Sequence, residues 1–423
     1  MSDKYSTRTA ESSSDTAVVQ WFRNPGCVDR SCPGGILAAK RTTDVDSHAQ
    51  RLSPFGHVQR KDFMTDYDAL VIGGGQSGLA AARALSRQGL DTAILEAGDE
   101  PVGSWPRYYD SLVLFSPGRY SSLPGMAFPG GEDRYPRRDE VIDYLRRYAD
   151  TVDADILTHQ RVDTVEYDGT GFTAHTAGGD TFTAPRLVAA TGSFDSPYVP
   201  RLPGLDTFTG TVLHASEYRE PTAFAGQHVI VVGAGNSAVQ IAVELAEHAE
   251  VTLASRNPPK YLPQEPLGRP LHFWATVTGF DAAPIGPYLR TAPTQRVLDT
   301  GRYRRALTIG NPVPRSMFTS IDGTTVNWPD GTTSTADSVL LATGYAQHLP
   351  YLVGLGALDS TGRARHRGGI STTHPGLAYL GIDWQRTPSS ASLRGVGRDA
   401  EFVAARLART RKSTTTGLGS AKQ

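Results

Sequence analysis

The sequence predicts an α/β protein built from two strand–turn–helix units, and three observations carry that prediction. An apolar run, a glycine cluster and an amphipathic helical segment follow one another directly at residues 69–89. The same succession recurs at residues 228–245. Each copy leads through short alternating segments to the tripeptide Ala-Thr-Gly, at residues 190–192 and again at 342–344. Repetition at so long a period is foreign to solenoids and argues for two domains of one architecture.

In the first unit, Ala69-Leu-Val-Ile72 is short and apolar enough to be a buried strand. Gly73, Gly75 and Gly78 form the turn, and Leu79, Ala82 and Leu85 mark one face of a helix that stops at Gly89. The first glycine permits the turn, the second lets backbone approach a pyrophosphate, and the third lets helix and strand pack closely. Glu96, 23 residues after Gly73, ends the next strand, where a carboxylate accepts hydrogen bonds from an adenosine ribose. A glycine pattern alone is weak evidence; strand, helix and terminal acid together make this a dinucleotide site.

The second unit runs from His228-Val-Ile-Val-Val232 into Gly233, Gly235, Asn236, Ser237 and Ala238, alanine being allowed at the third place. Its second strand ends on Ser255 and Arg256, and Arg256 again stands 23 residues after the first glycine. A guanidinium therefore replaces the acid. A carboxylate suits a free ribose and an arginine suits a 2′-phosphate, so the first unit is expected to take FAD and the second NADPH. The plain alternative for Arg256 is a solvated surface charge. Gly192 and Gly344, each after a buried strand, allow close approach to a bound dinucleotide; a simple strand-end turn is their alternative.

The resulting organisation is two Rossmann-like dinucleotide-binding domains, with the NADPH domain inserted in the FAD domain. Residues 1–63 carry clustered Ser, Thr, Asp and Arg without a sustained period and read as a disordered leader. The first part of the FAD domain spans 64–205, the NADPH domain 206–340 and the FAD return segment 341–410, followed by a disordered tail, 411–423. Met64 stands at the usual starting place for such a unit, so the leader is either an upstream extension or a mis-set start. Residues 139–148 read as an amphipathic scaffold helix capped at Asp139. Residues 162–190 read as a β-meander, and residues 258–315 as a Pro-rich, partly helical insertion. Gly103 and Trp105, just past Glu96, could line a ring cofactor, or Trp105 could be a core anchor.

With 42 Lys and Arg against 43 Asp and Glu in 423 residues, nothing favours nucleic acid or an acidic membrane surface as a partner. The apolar runs are broken by polar residues well short of the roughly 20 that span a bilayer, so no membrane partner is expected. Cys27 and Cys32 are the two cysteines, and both precede the first glycine turn. The chain therefore lacks the redox cysteine pair that a flavin disulfide reductase places after its turn. No disulfide or metal site is expected, and a reducing, cytoplasmic setting fits.

Between the units, Phe208-Thr-Gly210-Thr-Val-Leu-His214-Ala-Ser-Glu-Tyr218 matches F-x-G-x-x-x-H-x-x-x-Y in letters and position. Residues 66 to about 410 thereby resemble the class B flavin-dependent monooxygenases. Residues 111–125, 256–263 and 390–398 look like the small bacterial members associated with arsenic-resistance operons. The resemblance implies FAD on Gly73, Gly75, Gly78, Glu96 and Trp105, and NADPH on Gly233, Gly235, Asn236, Ser237 and Arg256. It also implies hydride delivery to the flavin, O2 addition at C4a, and oxygen transfer from the peroxyflavin to a small molecule with a soft N, S or As centre. His214 would be a coupling element in the interdomain linker, its alternative being a structural histidine. Three departures stand out. Val102-Gly103-Ser104 replaces a frequent double glycine, Tyr218-Arg219 argues against Baeyer–Villiger chemistry, and Phe115-Ser116-Pro117 occupies the region of an Asn beside the peroxide. Ser116 as a weaker donor would shorten the peroxide's life and leave an NADPH oxidase or flavin reductase. A non-catalytic NAD(P)-responsive binding module would keep the same glycine turns.

Overall fold

The computed structural model describes residues 64–414, apart from residues 290, 292, 294 and 295. The expected leader with its two cysteines, and residues 415–423 of the expected tail, lie outside the described residues. In chain order, β1 (Met64–Asp66) and β2 (Ala69–Ile72) precede α1 (Gln76–Ser86) and β3 (Thr92–Leu95). Helix α2 (Arg138–Ala149) leads to β4 (Asp155–Leu157), β5 (Val162–Tyr167), β6 (Phe172–Thr176), β7 (Thr181–Ala184) and β8 (Leu187–Ala189). The second unit comprises β9 (Thr211–His214), β10 (His228–Val232), α3 (Asn236–Leu245) and β11 (Glu250–Ser255). The insertion holds β12 (Tyr261–Pro263), α4 (Leu271–Val277), β13 (Val297–Asp299) and α5 (Arg302–Ile309). There follow β14 (Val313–Ser316), β15 (Ser320–Asp322), β16 (Thr325–Asn327), β17 (Thr333–Thr335) and β18 (Ser338–Leu341). The return segment contributes β19 (His366–Arg367), β20 (Ile370–Ser371), β21 (Leu377–Tyr379) and α6 (Leu393–Thr414).

Two parallel sheets result. The first has the order β19-β20-β21-β8-β2-β3-β4, parallel from β21 to β4. The second has the order β14-β11-β10-β18-β9 and is parallel throughout. Strand β8 enters the first sheet after the antiparallel β5-β6-β7 meander, and β18 enters the second after the β15-β16-β17 meander. Both sheets are covered on both faces, which is why their central strands are continuous apolar runs. Alternate residues of β2 serve opposite cores. Ala69 and Val71 pack with α1, α2 and α6, while Leu70 and Ile72 pack with Val165, Phe172 and Tyr379. In β10, Val229 and Val231 face the α3 side, and Ile230 and Val232 face Phe318 and Trp328.

Local details correct the sequence reading at α2. The residue preceding its first turn is Arg137, whose N–H donates to Glu140 Oε2 at 2.8 Å, while Asp139 lies inside the turn and pairs with Arg138. Glu140 closes that end because a side chain three positions into the helix can reach back to an orphan N–H. Helix α6 runs to Thr414, past residue 410 where the return segment was expected to end.

The turn glycines have unequal structural duties. A Cβ at Gly78 would stand 1.8 Å from the Gly73 carbonyl oxygen, so α1 and β2 touch through bare backbone. Gly235 has nothing within 4 Å of the same position and an unstrained φ of −89°. Gly78→Ala should therefore lose about 2 kcal/mol or more of stability from overpacking, and Gly235→Ala about 1 kcal/mol or less. Urea unfolding of the two apoproteins checks this; equal losses would mean that turn geometry sets the cost rather than helix–strand contact.

Candidate active site

Both glycine turns open on one cavity of about 2970 Å³. Every candidate residue named from the sequence lines it except Gly78 and Ala238, which are buried behind their turns. At the first turn, Gly73 adopts φ +102°, and a Cβ there would meet the Ala190 carbonyl oxygen at 2.9 Å. Gly75 faces Gly103: a Cβ on Gly103 would lie 2.8 Å from Gly75 Cα. Two bare backbones therefore meet at the start of α1, which leaves peptide N–H groups and the helix dipole available to an anion. The Glu96 carboxylate accepts from Gly74 N at 2.5 Å and from Gly98 N at 2.7 Å. Each oxygen keeps acceptor capacity for a hydroxyl. Trp105 begins a short 3₁₀ turn (Trp105–Arg107), half-buried against the first core while also lining the cavity, so the two readings of this residue are compatible.

At the second turn, Gly233 adopts φ +150°, and Gly235 begins α3 beside open space. Asn236 Oδ1 accepts from Leu298 N at 3.2 Å, which ties the turn to β13. Ser237 is half-buried, and Ser255 is buried at the end of β11. Arg256 is exposed and has no hydrogen bond or ion pair among the described residues. The residues fit two dinucleotides: the space a Gly235 Cβ would fill is open, and the acid and the guanidinium each stand at the end of the strand after their turn.

The turns are joined by a hinge that the sequence motifs only partly marked. His214, at the end of β9, is buried, with Nε2 3.1 Å from the Gly344 carbonyl oxygen. A carbonyl can only accept, so Nε2 carries the proton, and Nδ1 accepts from Ser216 N at 3.1 Å. Burial holds the His214 pKa below its ordinary value. Gly344 O also accepts from Tyr198 N at 2.8 Å. Rings continue from there: His214 meets Tyr345 edge-on at 5.2 Å, Tyr345 stacks on Phe194 at 5.2 Å, Phe194 meets Tyr108 at 4.7 Å, and Tyr108 meets Trp105 at 5.6 Å. Phe194 and Tyr345 each follow shortly after an Ala-Thr-Gly, a repeated signal that could have marked them.

Phe115, Ser116 and His272 line the same cavity. Ser116 Oγ is 2.9 Å from Ser121 Oγ, which itself bonds the carbonyls of Ser116 at 3.1 Å and Pro117 at 3.0 Å. Either hydroxyl of the Ser116–Ser121 pair can be the donor, and the pair holds Ser116 at the cavity wall. His272 on α4 lies between Phe115 (6.0 Å, 21°) and Tyr120 (5.9 Å, 28°). Sequence reading missed it, since a lone histidine in a Pro-rich insertion carries no pattern.

Burial and the nearby Arg394 push the His272 pKa down to about 4. The unfolded chain binds a proton near 6.5 that the fold refuses, so stability is full above that pH and falls as pH drops towards 4. The loss should be about 1 to 3 kcal/mol across that window. His272→Phe, which keeps the ring stack, should show a smaller fall in Tm between pH 7.5 and pH 5; an undiminished fall would place the acid sensitivity elsewhere.

The family described as pyridine nucleotide-disulphide oxidoreductase matches residues 70–266. An uncharacterized oxidoreductase CzcO-like of Geobacillus kaustophilus is 33% identical over 340 residues, 79% of this chain and 97% of that protein. The structure of a flavin-containing monooxygenase from Stenotrophomonas maltophilia aligns with TM-score 0.72 and 30% identity, covering 83% of this chain and 100% of the other. An indole-3-pyruvate monooxygenase of Oryza sativa subsp. japonica is 35% identical over 204 residues, about half of each chain (47% and 50%). No helix among the described residues is long and apolar enough to cross a membrane. The chain belongs to the class B flavin-dependent monooxygenases, enzymes that use FAD and NADPH.

Proposed function

We propose that this enzyme uses NADPH and O2 to oxygenate a small molecule at a soft nucleophilic nitrogen, sulfur or arsenic centre. The observation that carries the reading is the single, partly aromatic cavity shared by two dinucleotide turns. For a sulfide the balance is R2S + O2 + NADPH + H⁺ → R2SO + NADP⁺ + H2O, with two electrons from NADPH and two from sulfur. Bound FAD supplies the electron relay and the oxygen activation. The backbones of Gly75 and Gly103 would hold its pyrophosphate, Glu96 its ribose, and Trp105 would wall its ring. Gly235, Ser237 and Arg256 would hold NADPH.

His214 acts in this reading as a positioning residue, because a neutral imidazole with both nitrogens bonded neither gives nor takes a proton in the cavity. Ser116 is engaged with Ser121 rather than standing free toward the cavity. That observation favours a second reading, a reductase or oxidase that releases peroxide. Following NADPH, O2 and peroxide together, with sulfides, amines and arsenicals, decides between them. Substrate-stimulated O2 uptake without stoichiometric peroxide supports oxygenation; peroxide equal to NADPH consumed supports the oxidase. Absence of flavin reduction by NADPH would support a binding module instead.

Arg256 supplies a quantitative check. An exposed charge-assisted hydrogen bond to a 2′-phosphate contributes about 1.5 kcal/mol, a factor of roughly ten in affinity. Arg256→Ala should weaken NADPH by about that factor and leave NADH unchanged, and the difference should shrink as salt rises. Steady-state titrations measure it, and an unaltered NADPH/NADH ratio would make Arg256 a surface charge.

A further inference from the structure

Six carboxylates among the described residues line the cavity, and five of them have a partner. Glu96 accepts from Gly74 N and Gly98 N, Asp99 faces His159, Glu100 pairs with Arg146, Asp195 with Arg107, and Asp281 with Arg394 and Arg398. The sixth, Asp383, is exposed and has no hydrogen bond or ion pair among the described residues. It stands in a tight turn after β21, where Gln385 N donates to Ile382 O at 3.0 Å and Ile382 N donates to Gln385 Oε1 at 3.3 Å. The next residue, Trp384, adopts φ +55°, a strained conformation that bulky side chains rarely take and that clusters at functional sites. The insertion keeps it there. A Cβ on Gly286 would stand 1.9 Å from the Trp384 carbonyl oxygen, and Gly286 N donates to Arg386 O at 2.9 Å. A strained turn thus holds an unpaired charge at the cavity wall.

Two neighbours place that charge. Gly381, two residues earlier, lies against the first nucleotide turn, since a Cβ there would meet Ser77 Oγ at 2.3 Å. Towards the aromatic wall, burial pushes the Tyr108 phenol up and the Asp383 charge adds to that push, while Tyr108 meets Trp105 at 5.6 Å. A FAD with its pyrophosphate at Gly75 and its ring at Trp105 runs between those two sides. We infer that Asp383 tunes the bound flavin, as a fixed negative charge that opposes electrons entering the ring. A hydride brings two electrons and one proton, so the ring gains one negative charge on reduction, and a nearby carboxylate disfavours it. The reduced flavin is then a stronger donor to O2. The inference rests on reading the first turn as the FAD site.

The test is the midpoint potential of the FAD-loaded enzyme, titrated anaerobically against a reference dye without NADPH. Limited hydration inside the cavity holds the Asp383 carboxyl above its ordinary pKa, so the titration is run at pH 8 to keep it ionised. Asp383→Asn removes the charge and keeps the shape. It should move the two-electron equilibrium about tenfold toward reduced flavin, a rise of about 30 mV. Asp383→Glu keeps the charge, and its equilibrium should stay within about twofold of the parent's. A potential unmoved by Asp383→Asn, or moved equally by both variants, would overturn the inference. Loss of flavin from both variants would also overturn it, making Asp383 a cofactor anchor. Neither O2 nor a substrate enters this titration, so a flavin that oxygenates nothing leaves the inference standing and removes only the oxygenase reading.

Discussion

One carbonyl group gathers three segments between the two nucleotide turns. Gly344 O accepts from His214 Nε2 and from Tyr198 N, so the strand that closes the second sheet, the linker from the first, and the motif histidine converge on a single acceptor. Each bond to a buried carbonyl is costly to leave unmade. Their convergence fixes the Ala-Thr-Gly turn against the chain leaving the first sheet, and the stacked Phe194 and Tyr345 rings fill the space beside it. The two turns consequently open on the same cavity.

Several titratable groups of the cavity are held in their neutral forms by burial. His214 and His272 are held neutral by burial, and the phenols of Tyr108 and Tyr345 are pushed above their ordinary pKa for the same reason. Ser116 is hydrogen-bonded to Ser121. Such a lining suits chemistry in which the cofactors carry electrons and oxygen while the protein orients and shields. The insertion completes the shield, since Asp281 holds it on α6 and brings His272 between Phe115 and Tyr120.

The sequence by itself determined the two units, because their requirements are local. A buried parallel strand must be apolar on both faces, the turn into its helix needs glycine at φ +102°, and close helix–strand contact at Gly78 excludes a Cβ; each leaves its mark within about ten residues. Glu96 and Arg256 were legible for a related reason, as strand-end positions at one offset from their turns. The tertiary structure alone decided what those marks meet. Gly75 faces Gly103 across 28 residues of chain, His214 finds Gly344 across 130, and Arg394 reaches Asp281 across 113. No periodicity encodes such pairings. They depend on which chain segments the two sheets bring together, so the neutral tautomer of His214 and the place of His272 between Phe115 and Tyr120 became visible only in the folded chain.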